Sequence, residues 1–177
     1  MTWRSKNILI TGSSHFIAAH LVEQLVRLGG NVKAFIRYDY ESSRGSLEKL
    51  PAHIKNEIEV IPGSLTNPEA VDYVINSVDV VFHFGMLDMI PSETNAREYM
   101  QKTVMGTFNV LNAARKYNVG KLVHISTAEV YGRTENISIS EEHHLRAQST
   151  HISSDISAEK LVEGYFLSYG LPVTIAR

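Results

Sequence analysis

Two short stretches hold the residues whose types and spacing can do chemistry. In "STHISSDISAEKL" (149–161), His151 and Asp155 stand four residues apart, one helical turn, where a carboxylate can orient an imidazole that takes up a proton. The same spacing also serves an ordinary ion pair or cap on a helix surface, which for an isolated pair is the better-supported reading. In "ITGSSHFIAAHL" (10–21), Gly12 leads through Ser13, Ser14, His15, Phe16 and Ile17 into a helical pattern. Backbone N–H groups in such a turn, with the helix N-terminus behind them, can receive phosphate. Glycine serves where that backbone must turn tightly or approach a ligand closely. Three and six residues beyond Gly12, however, stand His15 and Ala18. An imidazole at position 15 fills phosphate space and resists a positive φ.

The remaining histidines add no metal chemistry. His83 and His124 lie at strand ends and His143 and His144 in "EEHHLR", none with the His-Glu-x-x-His spacing. No metal site is expected. The chain has no cysteine, which removes disulfides, thiolate zinc sites and a cysteine nucleophile together.

The elements that must position these residues alternate regularly. Strand-like runs occupy 7–11, 31–37, 58–63, 78–85, 121–126 and 172–177, near-continuous in apolar residues as strands covered on both faces should be. Between the first two, Phe16, Ile17, Leu21, Val22, Leu25 and Val26 recur at helical spacing, and "LGG" (28–30) ends the helix. A second helix, about 95–118, sets Met100, Val104, Phe108, Leu111 and Ala114 on one side; a third, about 151–169, carries Ile152, Ile156, Leu161 and Phe166. A short helix at 67–76 has Asn67 as its cap and Pro68 at its first position. The polar segment 37–53 reads as a mobile loop with one helical turn. Six strands alternating with helices predict an α/β fold of the Rossmann type: a doubly wound parallel sheet, order 3-2-1-4-5-6, with helices on both faces.

Length and charge bound the rest. With 177 residues, 44% hydrophobic, the chain is expected to form a single domain over 1–177 with no separate substrate domain. A net charge of -2 from 17 basic and 19 acidic residues, without a basic stripe, argues against nucleic acid as a partner. No leader-like apolar stretch opens the chain and no run of about 18 apolar residues follows, so a cytoplasmic protein away from membranes is expected.

Several stretches in order resemble the extended short-chain dehydrogenase/reductase family, the NAD-dependent nucleotide-sugar epimerases and dehydratases. They are "ILITGSSHFIAAHLVEQLVRLGGNVKAFIRYD", "VIPGSLTNPEAV", "VDVVFHFG", "VMGTFNVLNAARKYNVGKLVHISTAEVYG" and "AEKLVEGYFLSYGLPVTIAR". "STAEVYG" and the Arg37-Tyr38 pair after strand two look most like the 4,6-dehydratases. The resemblance implies an NAD or NADP site formed by Gly12, Ser13, Ser14, His15, Phe16, Ile17, Arg37, Ser64 and Leu65. It also implies Thr127 as a substrate-hydroxyl donor and Glu129 as an acid/base residue. Arg37 stands where an arginine can accept the 2′-phosphate of NADP.

The departures fall on the positions the family uses for cofactor and chemistry. Only Gly12 remains of three loop glycines; Ser64 replaces an adenine-contacting aspartate, Met86 a small residue beside the cofactor, Thr103 an asparagine, and Ala128 a dehydratase aspartate. The family's proton-abstracting tyrosine and its lysine partner are His151 and Asp155 here. The favoured reading is therefore a non-catalytic relative with a binding, regulatory or scaffolding role and weak or absent dinucleotide binding. Two others stay open: an active NAD(P)-dependent epimerase or 4,6-dehydratase using His151, Thr127 and Glu129, and the N-terminal cofactor-domain fragment of one, since members continue into a C-terminal substrate lobe. The resemblance further implies a homodimer, or a heterodimer with a full-length relative, through the helices at about 95–118 and 151–169. Tyr99, Thr107 and Val110 on the first helix and Ala158, Leu161, Val162, Tyr165 and Phe166 on the second read as more apolar surface than one sheet face covers.

Overall fold

The computed structural model describes residues 2–37, 44–85, 96–133 and 138–177. Tyr38 and Met86 lie outside them. Six parallel strands, β1 (Asn7–Thr11), β2 (Asn31–Arg37), β3 (Ile58–Gly63), β4 (Val80–Phe84), β5 (Lys121–Ile125) and β6 (Val173–Ala176), form one sheet in the order β3-β2-β1-β4-β5-β6. This is the expected doubly wound arrangement. The strand order reverses between β1 and β4, where the connections leave toward opposite sides and open a crevice at the carboxyl ends.

The helices are α1 (Phe16–Arg27), α2 (Ala52–Asn56), α3 (Pro68–Ile75), α4 (Ala96–Tyr99), α5 (Gly106–Lys116) and α6 (Thr150–Tyr169). Two apolar clusters cover the sheet. One joins α1 and α2 to β1 and β2 through Ile8, Ile10, Val22, Leu25, Leu47 and Ile54. The other joins α3, α5 and α6 to the opposite face through Leu9, Val74, Val81, Leu111, Leu122 and Val162. Where the sequence suggested a loop with one helical turn, 44–53 carries a 3-10 turn (Gly45–Lys49) and also the start of α2, because Leu47, Leu50 and Ile54 pack into the first cluster.

Three details depart from the sequence reading. Phe16 and Ile17 are about two-thirds exposed, and Ala18 and Ala19 take the inward positions of the first turn of α1, where small side chains let helix and sheet approach closely. Between α4 and α5 the chain forms a π-helical turn, Met100–Met105. That wider turn rotates the helix face, so Tyr99, Thr103 and Thr107 point inward while Met100 and Met105 are exposed. Finally, α6 buries three polar residues, Ser154, Asp155 and Glu159, along with Ile152, Ala158 and Val162, and therefore shows no clean apolar stripe.

The surface argument for a dimer does not hold. Tyr99, Thr107, Val110, Ala158, Val162 and Tyr165 are buried within the single chain, because α5 and α6 pack together on the sheet and cover them. Of the eight residues, Phe166 alone is exposed, at 54%, and Leu161 is half-buried.

Candidate functional site

A cleft of about 650 Å³, its open mouth included, sits at the carboxyl ends of β1 to β4. It brings together Gly12, Ser14, His15, Arg37, Ser64 and Leu65 from the residues singled out in the sequence. Phe35, Gly63, Phe84, Gly85 and Lys102 also line it. The sequence reading missed these five; Gly63, Phe84 and Gly85 carried a usable signal, since each stands at or just past the carboxyl end of a strand.

Gly12 is the residue on which the loop turns. It adopts φ +64°, and a Cβ there would lie 2.9 Å from the Phe84 carbonyl oxygen. Only glycine combines that backbone with that contact. His15, by contrast, has φ −71° and ψ 152°, an ordinary extended conformation. The expected strain at position 15 is absent, because the left-handed residue of the loop is Gly12. What His15 does is project its ring along the cleft, with Cδ2 3.4 Å from where a Gly12 Cβ would stand. It caps α1 through its backbone, its side chain making no capping hydrogen bond, and no acidic residue occupies the first turn. The positive end of that helix faces the cleft.

Ser13, Phe16 and Ile17 do not line the cleft. The Ser13 hydroxyl donates to the Ile10 carbonyl at 2.6 Å and its N–H to the Phe35 carbonyl at 3.3 Å, so both polar groups are used in holding the turn. Phe16 turns away and meets His20 edge to face, with ring centroids 4.5 Å apart. On the far wall, the Ser46 N–H donates to the Ser14 carbonyl at 2.9 Å, which docks the 3-10 turn against the loop.

Beneath the cleft lies a buried polar row that the sequence did not disclose. Thr11, His83 and His124 are register neighbours across β1, β4 and β5. Thr11 Oγ1 accepts from the Phe84 N–H at 3.1 Å and lies 2.8 Å from His83 Nδ1; His83 Nε2 lies 3.0 Å from Thr107 Oγ1. This bonding suits a neutral imidazole protonated at Nε2. Burial, then the neighbouring His124, hold His83 well below the usual histidine range. Burial likewise brings His124 down to about 4, against the opposing pull of Glu159. Gly85 roofs the pair: a Cβ there would stand 3.0 Å from His83 Nε2 and 3.2 Å from Thr107 Oγ1.

Thr127, Glu129 and His151 form a separate group. Thr127 precedes a 3-10 turn (Ala128–Tyr131), and its hydroxyl accepts from the Glu129 N–H at 3.2 Å, while Glu129 itself is exposed. His151 Nε2 lies 3.3 Å from Asp155 Oδ2. The pair is not on the helix surface. Asp155 is 3% exposed, and the Tyr99 ring lies tilted against His151 with centroids 4.9 Å apart. The approach is too poorly aligned for a hydrogen bond, which leaves Asp155 Oδ2 buried without a donor. Burial pushes the Asp155 carboxyl up to about 6, opposed by His151 and reinforced by Glu129 and Glu159. Glu159 is fully buried but compensated. It accepts from Ser126 Oγ at 2.5 Å and from Arg177 Nε and Nη2 at 3.0 and 2.7 Å, with Arg177 Nη1 bonded to the Tyr131 hydroxyl.

A dinucleotide fits one half of this arrangement and not the other. Gly12, the open end of α1 and Arg37 suit a diphosphate and a ribose. At the start of α6, the position of the family's lysine is held by a buried acid short of a donor. Among the described residues no group of three or more His, Asp or Glu side chains is placed to hold a metal, and no helix is long and apolar enough to cross a membrane.

Comparison with known proteins follows the same lines. The family model of GDP-mannose 4,6 dehydratase matches residues 9–177. A trifunctional UDP-glucose 4,6-dehydratase/UDP-4-keto-6-deoxy-D-glucose 3,5-epimerase/UDP-4-keto-L-rhamnose-reductase of Arabidopsis thaliana is 30% identical over 99% of this chain and 28% of its own length. The dTDP-D-glucose 4,6-dehydratase of Mus musculus is 30% identical over 98% of this chain and 50% of its own. Among solved structures, a dTDP-glucose 4,6-dehydratase from Streptomyces venezuelae with NAD and TYD bound superposes with a TM-score of 0.86 at 27% identity, over 96% of this chain and 54% of that one. The chain thus spans between 28% and 54% of the length of these relatives.

Proposed function

Because the chain belongs to the GDP-mannose 4,6-dehydratase family, among the NAD-dependent nucleotide-sugar dehydratases and epimerases, we propose that it is a non-catalytic member, a binding, regulatory or scaffolding protein built on the family's cofactor fold. One observation carries this reading: the buried His151–Asp155 pair at the positions of the family's tyrosine and lysine. Oxidation of a sugar hydroxyl needs a base that takes its proton and a nearby cation that keeps the base ionised. Here the partner is a carboxylate. It brings negative charge where that cation is needed, and the imidazole lies against the Tyr99 ring. Thr127 and Glu129 supply a hydroxyl and an exposed acid but no substitute for that cation.

The test is direct. With NAD or NADP and UDP- or dTDP-glucose, neither nicotinamide reduction nor a 4-keto sugar is expected. Turnover that His151→Ala abolishes, with the fold intact by circular dichroism, would replace this reading with a histidine-base mechanism.

A further inference from the structure

The π-helical turn Met100–Met105, together with Tyr99 before it, packs on the first two turns of α6. The Tyr99 ring lies against His151, and Ser154 Oγ donates to Met100 Sδ at 3.3 Å. The seam is under-bonded: Thr103 Oγ1 on one side and Asp155 Oδ2 on the other are buried without a hydrogen-bond partner among the described residues. Each such atom works against the closed arrangement. We propose that this seam is a pH-sensitive latch, closed while Asp155 carries a proton and released when Asp155 is ionised. The latch does not depend on whether the protein turns over a sugar.

The chemistry of the carboxyl sets the direction. An ionised carboxylate only accepts, and Oδ2 has no donor; a protonated one gains an O–H to give and sheds the charge that burial opposes. The surrounding groups give little relief. On α6, His151 Nε2 approaches at 3.3 Å without the alignment of a hydrogen bond, and the Glu159 carboxylate, one turn on, is taken up by Arg177 from the end of β6. From the 3-10 turn after β5, Glu129 adds negative charge. From α4 and the π-turn the titratable groups are Tyr99, against His151, and Lys102, paired with Glu98. His124 of β5 is itself buried and feels Glu159. Burial, opposed by His151 and reinforced by Glu129 and Glu159, holds the Asp155 carboxyl up to about 6.

The turn has a second arrangement to go to. Met100, Val104, Phe108 and Leu111 repeat at α-helical spacing, yet the π-turn leaves Met100 exposed and buries Thr103 more deeply than Val104. Ordinary α-helical bonding through this segment turns the inward face by one residue, about 100°, and brings Met100 and Val104 to where Tyr99 and Thr103 stand. Ionised, Asp155 draws water into the seam, and the apolar register is the one the sequence pattern favours. The two registers are discrete, so release is a switch and not a gradual loosening. Lys102 lies inside the turn and lines the cleft, so the switch also moves a charge at that site.

Hydrogen exchange of the whole chain, read by mass spectrometry on peptides covering 99–107 and 150–158 and corrected for intrinsic rate, tests the latch between about pH 5 and about pH 7.5. Protection in both peptides should fall at least about tenfold over that range, with its midpoint near 6, while β1 keeps its protection. Asp155→Asn should hold both peptides at the acid level at every pH. Glu129→Gln, a change at an exposed residue, should move the midpoint to lower pH, because one neighbouring negative charge is gone. Protection that does not change with pH, or that is lost equally from β1, overturns the latch. A pH dependence that persists in Asp155→Asn does the same. So does a midpoint that Glu129→Gln leaves in place, since the titrating group is then not Asp155, and this arm decides the matter even where Asp155→Asn fails to fold.

Discussion

Asp155 shows how much one side chain can hide from a sequence. Its spacing from His151 was legible, and so was the chemical sense of the pair, but spacing does not say which face of a helix is covered. Burial turns an unremarkable i,i+4 pair into a carboxyl held up to about 6, chiefly by desolvation. Between the unfolded value near 4 and that folded value, the native state binds more protons than the unfolded chain. This group's contribution to stability is thus fully present below about pH 4 and is lost as the pH rises through 6. Asp155→Asn removes the dependence. The variant is expected to melt higher than the parent at pH 8, by an amount on the order of 2 kcal/mol, and to lose most of that advantage at pH 4.5. Equal gains at both pH values would show that packing, not charge, is responsible. The His83–Thr107 contact escaped notice for a similar reason: the partners are 24 residues apart, and only the packing of α5 on β4 brings them together.

At the level of elements, local chemistry was readable wherever the signal was local. Asn67 caps α3 as its type and the following Pro68 predict, with its side-chain oxygen accepting from the N–H groups of Glu69 and Ala70 at 3.0 and 3.2 Å. Asn67→Ala should therefore cost about 1 kcal/mol, seen as a shift of the urea midpoint without a change in slope. A neutral result would mean that solvent satisfies those groups equally well. The π-helical turn at Met100–Met105 left no such trace, because its sequence reads as a helix of ordinary period. It displaced the inferred inward face by one residue. The phosphate loop was half legible: its place and its glycine were evident, whereas the φ of His15 depends on which residue of the loop makes the left-handed turn, and that is decided by the packing of Gly12 on Phe84.

For the whole molecule, strand order and both covered faces followed from the alternation of strands and helices, while the association surface did not. The apolar residues left exposed on the helices from 96 to 169 are Met100, Met105, Phe166, Leu167 and Tyr169. Association through α5 and α6 is expected to rest on members of this set. Sedimentation across a concentration series should show a homodimer that Phe166→Asp dissociates while leaving the melting temperature within about 2 °C, as befits a residue outside the core. A monomer at every concentration rejects the homodimer.

The sheet order carries one more consequence, for the time course of synthesis. β2 pairs with β1, β3 with β2, β4 with β1, β5 with β4 and β6 with β5, so every strand emerging from the ribosome meets an edge already made. The two faces mature on different schedules. The core beneath α1 comes almost wholly from residues 8–54, with Phe84 and other later contacts completing it, and is nearly furnished before β3 has been translated. The opposite core draws on residues from Leu9 to Leu171 and must wait for the last helix. A nascent chain stalled near residue 130 would therefore carry one finished face and one raw one, and the raw face is where a chaperone would find it.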